Sequence, residues 1–239
     1  MIKTHYKLMI FILVILTIFL IYKANHNNYF NYTSLGDGYA LGITSYGNED
    51  YGYSDYIKDR LEKERKLNHY IKGFSKKEQS INQLYENIVT NKKINSKKEE
   101  KNIKQTLRES DLVTMTIGLN DIVYHISITP NMNEYHLEKI MIEIEKKIKK
   151  LIKEIKSYYQ KEIYIIGYPE IPTKNYYIKQ GIKKINQIYK RLDEVTYIST
   201  EDIIKKDDFL YSESIYPSKE SYKKVAEEVL KSLANKQNI

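Results

Sequence analysis

Short apolar runs alternate along this chain with longer segments whose apolar residues recur at helical spacing. The short runs predict buried strands at residues 29–35, 67–71, 112–117, 162–166 and 195–198. The longer segments predict amphipathic helices at residues 53–64, 78–89, 97–109, 136–159 and 176–192, and a last helix from Ser218 to about Leu233. Because strands that alternate with helices form parallel sheets covered on both faces, we expect a three-layer α/β/α sandwich with a central parallel sheet of about five strands.

The first apolar stretch has a different character, because residues 8–22 are apolar on every side and follow Lys3 and Lys7. A positive segment before an apolar one is typical of a secretory signal, and no small-residue cleavage site follows it. We therefore predict a signal-anchor and tether at residues 1–28, with a domain at residues 29–239 held outside the cytoplasm at the cell envelope. A cleaved signal peptide, with a secreted domain, and a buried core helix remain alternatives.

Composition narrows the possible chemistry of this domain. The 239 residues include no Cys, which excludes disulfide scaffolds, thiol nucleophiles and Cys-based metal sites. The net charge of +8 is spread over helix faces that also carry Glu, so we expect solvated surface and no nucleic-acid partner. We predict no cofactor and no metal site. The 24 Tyr residues include a group beside small Gly-containing turns, which suits contact with a sugar or a peptide, although composition explains it equally well.

Three short loops carry the residues from which chemistry can be argued. The first, at residues 34–40, and the second, at residues 116–121, directly follow predicted strands. The third, at residues 213–217, directly precedes the last predicted helix. Because functional loops of parallel sheets collect at the carboxyl ends of the strands, we expect these loops to meet in space.

The order and spacing of these loops resemble the SGNH/GDSL hydrolase family over about residues 29–235. The resemblance implies that family's flavodoxin-like α/β/α sandwich and an ester-hydrolysing ancestry. It places the nucleophile position at Gly38, the oxyanion-binding loop at Gly118 and Asn120, and the general base with its orienting carboxylate at Tyr216 and Glu213. We expect these residues to line one cleft, with Glu213 behind Tyr216.

The same resemblance suggests four residues that contact a ligand or support the site. These are Asp37 and Tyr39 in the first loop, Asp121 in the second, and Gly73, the nearest match to the family's second oxyanion glycine. Each aspartate also has a purely structural interpretation, since Asp commonly caps a helix or holds a turn. Asn120 likewise has an alternative interpretation as a turn residue.

Two departures from the family pattern decide the expected chemistry. The family has Ser where this chain has Gly38, and His where it has Tyr216. Glycine has no side chain, and a tyrosine with a pKa near 10 is a poor base at neutral pH. No His follows His136 in the sequence, and among the five His residues we expect His125 to lie nearest the pocket, where its simpler interpretation is a histidine on a helix face. We therefore predict an impaired hydrolase that binds an acylated sugar, a lipid or a cell-wall ligand.

Two further functions remain open on the sequence alone. An active esterase or lipase would need a substitute nucleophile, such as Ser34 or Tyr39, or a water molecule activated by Glu213. A structural envelope protein would need no catalytic group at all.

Overall fold

The structure, a computed structural model, describes residues 9–19, 29–96 and 99–237. Its strands are β1 (Phe30–Gly36), β2 (Leu67–Ile71), β3 (Lys93–Ser96), β4 (Glu99–Asn102), β5 (Leu112–Thr116), β6 (Ile163–Ile166) and β7 (Val195–Ile198). Five of them form a parallel sheet in the order β2-β1-β5-β6-β7. The predicted parallel α/β/α sandwich is thereby confirmed.

The helices are α1 (residues 9–19), α2 (Gly38–Leu41), α3 (Tyr53–Lys63), α4 (Ile81–Val89), α5 (Ile103–Glu109), α6 (Leu119–Ile128), α7 (Glu134–Lys156), α8 (Tyr176–Lys190) and α9 (Lys219–Gln237). A short 3₁₀ helix, Lys206–Asp208, precedes α9. On one side of the sheet α3 packs against α9, and on the other α7 packs against α4 and α8.

The amphipathic pattern of α7 shows why the helices cover the sheet. Its buried residues recur every three or four positions: Leu137, Met141, Ile144, Ile148, Leu151, Ile152 and Ile155. They face the sheet, where all five residues of the central strand β5 are buried. The side chain of Asn133 begins α7 by accepting a hydrogen bond from the amide of His136 at 3.0 Å.

The prediction of one helix over residues 97–109 was wrong at its start. β3 and β4 pair there as an antiparallel hairpin, whose residues 97 and 98 lie outside the described residues. The helix begins only at Ile103, where Asn102 caps it by accepting from the amide of Gln105 at 2.9 Å. Helices α2 and α6 were not predicted, and both begin within the loops that carry the candidate site.

The predicted membrane segment is described only in part. Residues 9–19 form α1 and expose about half or more of each large apolar side chain. Residues 1–8, which include Lys3 and Lys7, and residues 20–28, which include the predicted tether, lie outside the described residues. Among the helices that the structure describes, none has both the length and the apolar character that crossing a membrane requires.

Candidate active site

The loops at the carboxyl edge of the sheet are held together by backbone hydrogen bonds. The amide of Asp37, directly after β1, donates to the carbonyl of Thr116 at the end of β5, at 2.9 Å. The amide of Lys76, in the loop after β2, donates to the carbonyl of Gly36 at 3.0 Å. Gly36 has a φ of +123°, and a Cβ there would lie 1.7 Å from the Thr116 carbonyl oxygen, so this close approach requires glycine.

Asp37 is the buried polar centre of this edge. Its carboxylate accepts from the amide of Tyr39 at 3.1 Å, from the hydroxyl of Thr116 at 2.8 Å and from the hydroxyl of Tyr168. Burial raises the pKa of Asp37 to about 7, while the three hydrogen bonds oppose that rise. Asp37 thus caps α2 and joins the loops after β1, β5 and β6, which agrees with its structural interpretation.

Gly38 lies at the amino end of α2, directly under the ring of Tyr216. A Cβ added to Gly38 would lie 2.4 Å from the Tyr216 hydroxyl oxygen and 2.5 Å from its Cε1. The two positions where the family places a nucleophile and a base are therefore adjacent in space. The expectation that they line one cleft holds for Tyr216 but not for Gly38, which is buried beneath the tyrosine ring. The tyrosine ring occupies the volume that a serine side chain would need.

Tyr216 makes contacts that suit a packing residue. Its hydroxyl donates to the carbonyl of Lys77 at 3.0 Å, and its ring lies 5.6 Å from that of Tyr39. Burial, together with the negative charges of Asp37 and Glu78, raises the pKa of Tyr216 above its ordinary value. A phenol with a raised pKa stays protonated at neutral pH, so Tyr216 offers no general base.

The expected support of Tyr216 by Glu213 is not formed. Glu213 is exposed, and among the described residues its carboxylate makes no hydrogen bond or ion pair. The partner of the Tyr216 hydroxyl comes instead from the loop after β2, through Lys77. The sequence could not indicate this partner, because the contact uses a backbone carbonyl.

The second loop places its two polar residues differently. Asn120 is half-buried and lines the cleft, where its side-chain amide donates to the carbonyl of Gln79 at 3.2 Å. Asp121 is buried, and its Oδ2 accepts from the amide of Ile81, the first residue of α4, at 2.9 Å, while Ser80 is the N-cap residue of that helix. Burial raises the pKa of Asp121. Gly118, with a φ of +110°, makes the turn from which α6 starts.

Gly73 does not lie at the site to which the resemblance assigned it. It is exposed, and a Cβ there would meet the side chain of Ile94 in β3 at 2.7 Å. The part of the same loop that reaches the cleft is the run from Lys77 to Ser80.

The two substitute nucleophiles considered from the sequence are both inaccessible. Ser34 is completely buried within β1. Tyr39 is also buried, and its hydroxyl donates to the carbonyl of Ile215 at 2.7 Å. Neither residue lines the cleft.

The cleft itself has a volume of about 710 Å³ and opens between the loop after β2, α6, α7 and the loop before α9. Its walls include Val123, Tyr124 and Ile215 as apolar surface. His125 lines it as the sequence predicted, and its Nε2 lies 3.5 Å from Nζ of Lys147. Burial and the charge of Lys147 lower the pKa of His125, and the charge of Asp121 opposes them.

Among the described residues, no group of three or more His, Asp or Glu side chains is placed to hold a metal ion. Lys147 comes from the middle of α7, and no motif near it could have marked it as part of the cleft. Tyr168, which follows β6, holds Asp37 and was visible in the sequence only as part of a Gly-Tyr-Pro segment.

Solved structures of several ester hydrolases share this fold. The lipase Lip_vut3 from a goat rumen metagenome has a TM-score of 0.67 and 17% identity, over 84% of this chain and 96% of that chain. A catalytic mutant of Axe2, an acetylxylan esterase from Geobacillus stearothermophilus, has a TM-score of 0.61 and 16% identity, over 84% and 93%. The esterase EstA from Pseudoalteromonas sp. has a TM-score of 0.57 and 14% identity, over 87% and 100%.

No protein with a curated description matches this sequence. The family model of the GDSL-like Lipase/Acylhydrolase matches residues 32–229, which run from β1 into α9 and include all three loops of the candidate site. The resemblance inferred from the loops is confirmed, and the chain belongs to the GDSL-like lipase/acylhydrolase family.

Proposed function

We propose that this protein binds a ligand in the cleft of a GDSL-like fold and has lost hydrolysis by a serine–histidine pair. The observation that carries the proposal is the ring of Tyr216 in the space above Gly38. Acyl transfer through a covalent intermediate needs a nucleophilic oxygen and a base that accepts its proton. Gly38 supplies no nucleophilic oxygen. Because its pKa is raised, the Tyr216 hydroxyl stays protonated at neutral pH and does not act as the base.

The cleft supports a binding role, because it combines polar groups with apolar walls. Asn120 presents a half-buried amide to it, and Val123, Tyr124 and Ile215 add apolar and aromatic surface. Ligand sites commonly combine apolar walls with a few fixed polar groups. An acylated sugar, a lipid or a cell-wall polymer has the matching mixture of hydroxyl groups and hydrocarbon.

The proposed place of action is the outer face of a membrane. The exposed apolar helix α1 follows a lysine-bearing segment in the sequence, and it precedes the folded domain. An apolar helix with positive residues before it inserts with those residues toward the cytoplasm. The domain would then lie close to lipids and wall polymers.

One observation favours a second candidate function, an esterase that uses different residues. His125 lies in the same cleft as Asn120, and its lowered pKa keeps the imidazole neutral at pH 7. A neutral imidazole is able to take a proton from an attacking water molecule. In that reaction Asn120 would donate to the oxyanion.

A hydrolysis assay separates the two functions. The full-length protein in a neutral detergent is mixed with p-nitrophenyl acetate, and we expect no release of nitrophenol above the buffer rate. The double variant Gly38→Ser/Tyr216→His should gain measurable hydrolysis, because it restores both missing groups at adjacent positions.

Each other outcome has a distinct meaning. Turnover by the unaltered protein that is abolished in both Asn120→Ala and His125→Ala would establish the esterase and refute the proposal. A double variant that is folded and remains inert would instead contradict the assignment of Gly38 and Tyr216 as the family's catalytic positions.

A further inference from the structure

We propose that the end of the cleft between α6 and α7 is a subsite for an anionic group of the ligand, a phosphate or a carboxylate, held by Lys147 and His125. The inference rests on the proposed function, because it names the chemistry of a ligand for the same cleft. The positions of the family's catalytic residues lie in other loops and are not part of this subsite.

Among the described lysines of α7, Lys147 is the one that lines the cleft, whereas Lys146 and Lys149 beside it are paired with glutamates. Lys146 pairs with Glu143 at 2.8 Å, and Lys149 pairs with Glu145 at 2.7 Å. Lys147 is half-buried in the cleft wall and, among the described residues, forms no ion pair. A partly buried ammonium group without a counter-ion is unfavourable, so its position facing a cavity favours an anion from outside.

His125 supplies a second donor at the same place. Its Nε2 lies 3.5 Å from Nζ of Lys147, a long contact for a hydrogen bond. An ammonium group only donates, so the imidazole nitrogen accepts from it while the ring is neutral. When an anion enters, a protonated His125 and Lys147 can both donate to it, and such charge-assisted hydrogen bonds are the strong ones.

The nearby carboxylate does not fill this role. Asp121, one helical turn before His125 on α6, directs Oδ2 to the amide of Ile81. It therefore acts on His125 and Lys147 only through space. Lys77 and Glu78, from the loop after β2, are the other charged residues that line the cleft, and their opposite charges offset each other.

The rest of the cleft indicates what the anionic group is attached to. Val123 and Tyr124 adjoin His125 along α6, and Ile215 and Tyr216 form the wall from the loop before α9. The volume of about 710 Å³ far exceeds that of a single phosphate. We infer a ligand with an anionic group at the Lys147 end and an uncharged sugar or acyl part toward Tyr216.

The subsite is tested by NMR spectroscopy of the histidine side chains. The full-length protein in neutral detergent carries ¹³C at Cε1 of its five His residues. The His125 signal is assigned by its loss in His125→Gln. Inorganic phosphate and, separately, acetate are then titrated at pH 6 and pH 8. We expect a saturable shift confined to His125, with tighter binding at pH 6, where the anion favours the protonated ring.

A matched pair of variants locates the interaction. Lys147→Gln should weaken phosphate binding by about tenfold, as loss of a charge-assisted hydrogen bond does. Lys153→Gln removes the same charge from an exposed position on the same helix and should leave binding unchanged. A shift with phosphate alone identifies the ligand group as phosphate, and an equal shift with acetate identifies any small oxyanion, the carboxylate included.

The proposal is overturned if neither anion moves the His125 signal, or if Lys147→Gln binds as tightly as the unaltered protein. Circular dichroism confirms that each variant is folded. Failure here leaves the proposed function standing, because ester hydrolysis is measured separately. Conversely, an active esterase that still binds phosphate at Lys147 would refute the proposed function alone.

Discussion

Tyr216 closes over Gly38 so tightly that the tyrosine ring leaves no room for a side chain at position 38. A Cβ on Gly38 would lie 2.4 to 2.6 Å from three atoms of the tyrosine ring and hydroxyl. The backbone of Gly38 is outside the left-handed region, so its conformation does not itself require glycine. The ring of Tyr216 alone excludes a larger residue at position 38.

We therefore expect Gly38→Ser to destabilise the protein by about 1–3 kcal/mol, the usual cost of an overpacked interior. In the presence of Tyr216→His the same change should cost less, because the smaller imidazole leaves room for the serine side chain. Urea unfolding of the four proteins in a double-mutant cycle measures this coupling, which we expect to be about 1–2 kcal/mol.

Gly73→Ser is a suitable control, because Gly73 is exposed and a Cβ there meets only the flexible end of Ile94. Its effect should add to that of Tyr216→His. If the changes in the free energy of unfolding caused by Gly38→Ser and Tyr216→His also add to within about 0.5 kcal/mol, the steric relation between positions 38 and 216 is contradicted.

The sheet could be predicted from the sequence because its strands are apolar enough to be recognised one by one. All residues of β5 and β6 are buried, and such strands appear in a sequence as unbroken apolar runs. The β3–β4 hairpin could not be predicted in this way. Its residues are mostly Lys, Glu and Asn, and only their pairing makes them strands.

The sequence predicted residues of the site that belong to a recognisable motif, but not residues that reach the site only through the packing of distant elements. Asn120 and Gly38 follow strands whose ends meet, so their proximity to Tyr216 could be expected. Glu213 was assigned by spacing alone, and the structure leaves it in solvent. Lys147 reaches the cleft only because α7 packs beside α4 and α6, which no local pattern records.

Adjacent residues of the second loop should differ sharply in their effect on stability. Asp121→Ala leaves the buried amide of Ile81 without an acceptor, so we expect a loss of about 1–3 kcal/mol in the free energy of unfolding. Asn120→Ala removes one half-buried hydrogen bond to Gln79 and should cost about 1 kcal/mol or less. Urea unfolding of both variants measures the difference.

Asp121→Asn serves as the control, because its side-chain oxygen can still accept from Ile81. It should recover most of the stability that Asp121→Ala loses. Equal losses in Asn120→Ala and Asp121→Ala would show that the hydrogen bond from Ile81 to Asp121 does not stabilise the start of α4.

Membrane binding should depend on the exposed apolar residues of α1. Leu13 and Leu16 are 66% and 57% exposed, so Leu13→Lys with Leu16→Lys adds two charges to the apolar helix. Each charge at the centre of a membrane helix opposes insertion by about 2.5–3.5 kcal/mol. In flotation with phosphatidylcholine–phosphatidylglycerol vesicles, the unaltered protein should float with the lipid and the variant should remain in the dense fraction.

Tyr135→Lys provides the matched control, because Tyr135 is also highly exposed, at 68%, but lies at the start of α7 in the folded domain. It should float as the unaltered protein does. Flotation of the Leu13→Lys/Leu16→Lys variant to the same extent would exclude α1 as the anchor.

The buried carboxyl of Asp37 predicts that stability falls as pH rises from about 4 to 7. Its pKa is about 7 in the folded protein, against an ordinary value of 3.8. Below pH 3.8 the group is protonated in both states and has its full stabilising effect. Between the two values the unfolded chain has released the proton and the folded protein has kept it, so the folded state loses up to about 4 kcal/mol across this window.

Asp37→Asn removes this titration while keeping an acceptor for Thr116 and Tyr39. The stability difference, unaltered protein minus Asp37→Asn, should therefore decrease as pH rises from 4.5 to 7 and level off above it, as measured by urea unfolding at about 0.5 pH intervals. A difference for Asp37→Asn that stays constant, or increases with pH, would mean that Asp37 is ionised throughout and that its three donors outweigh its burial.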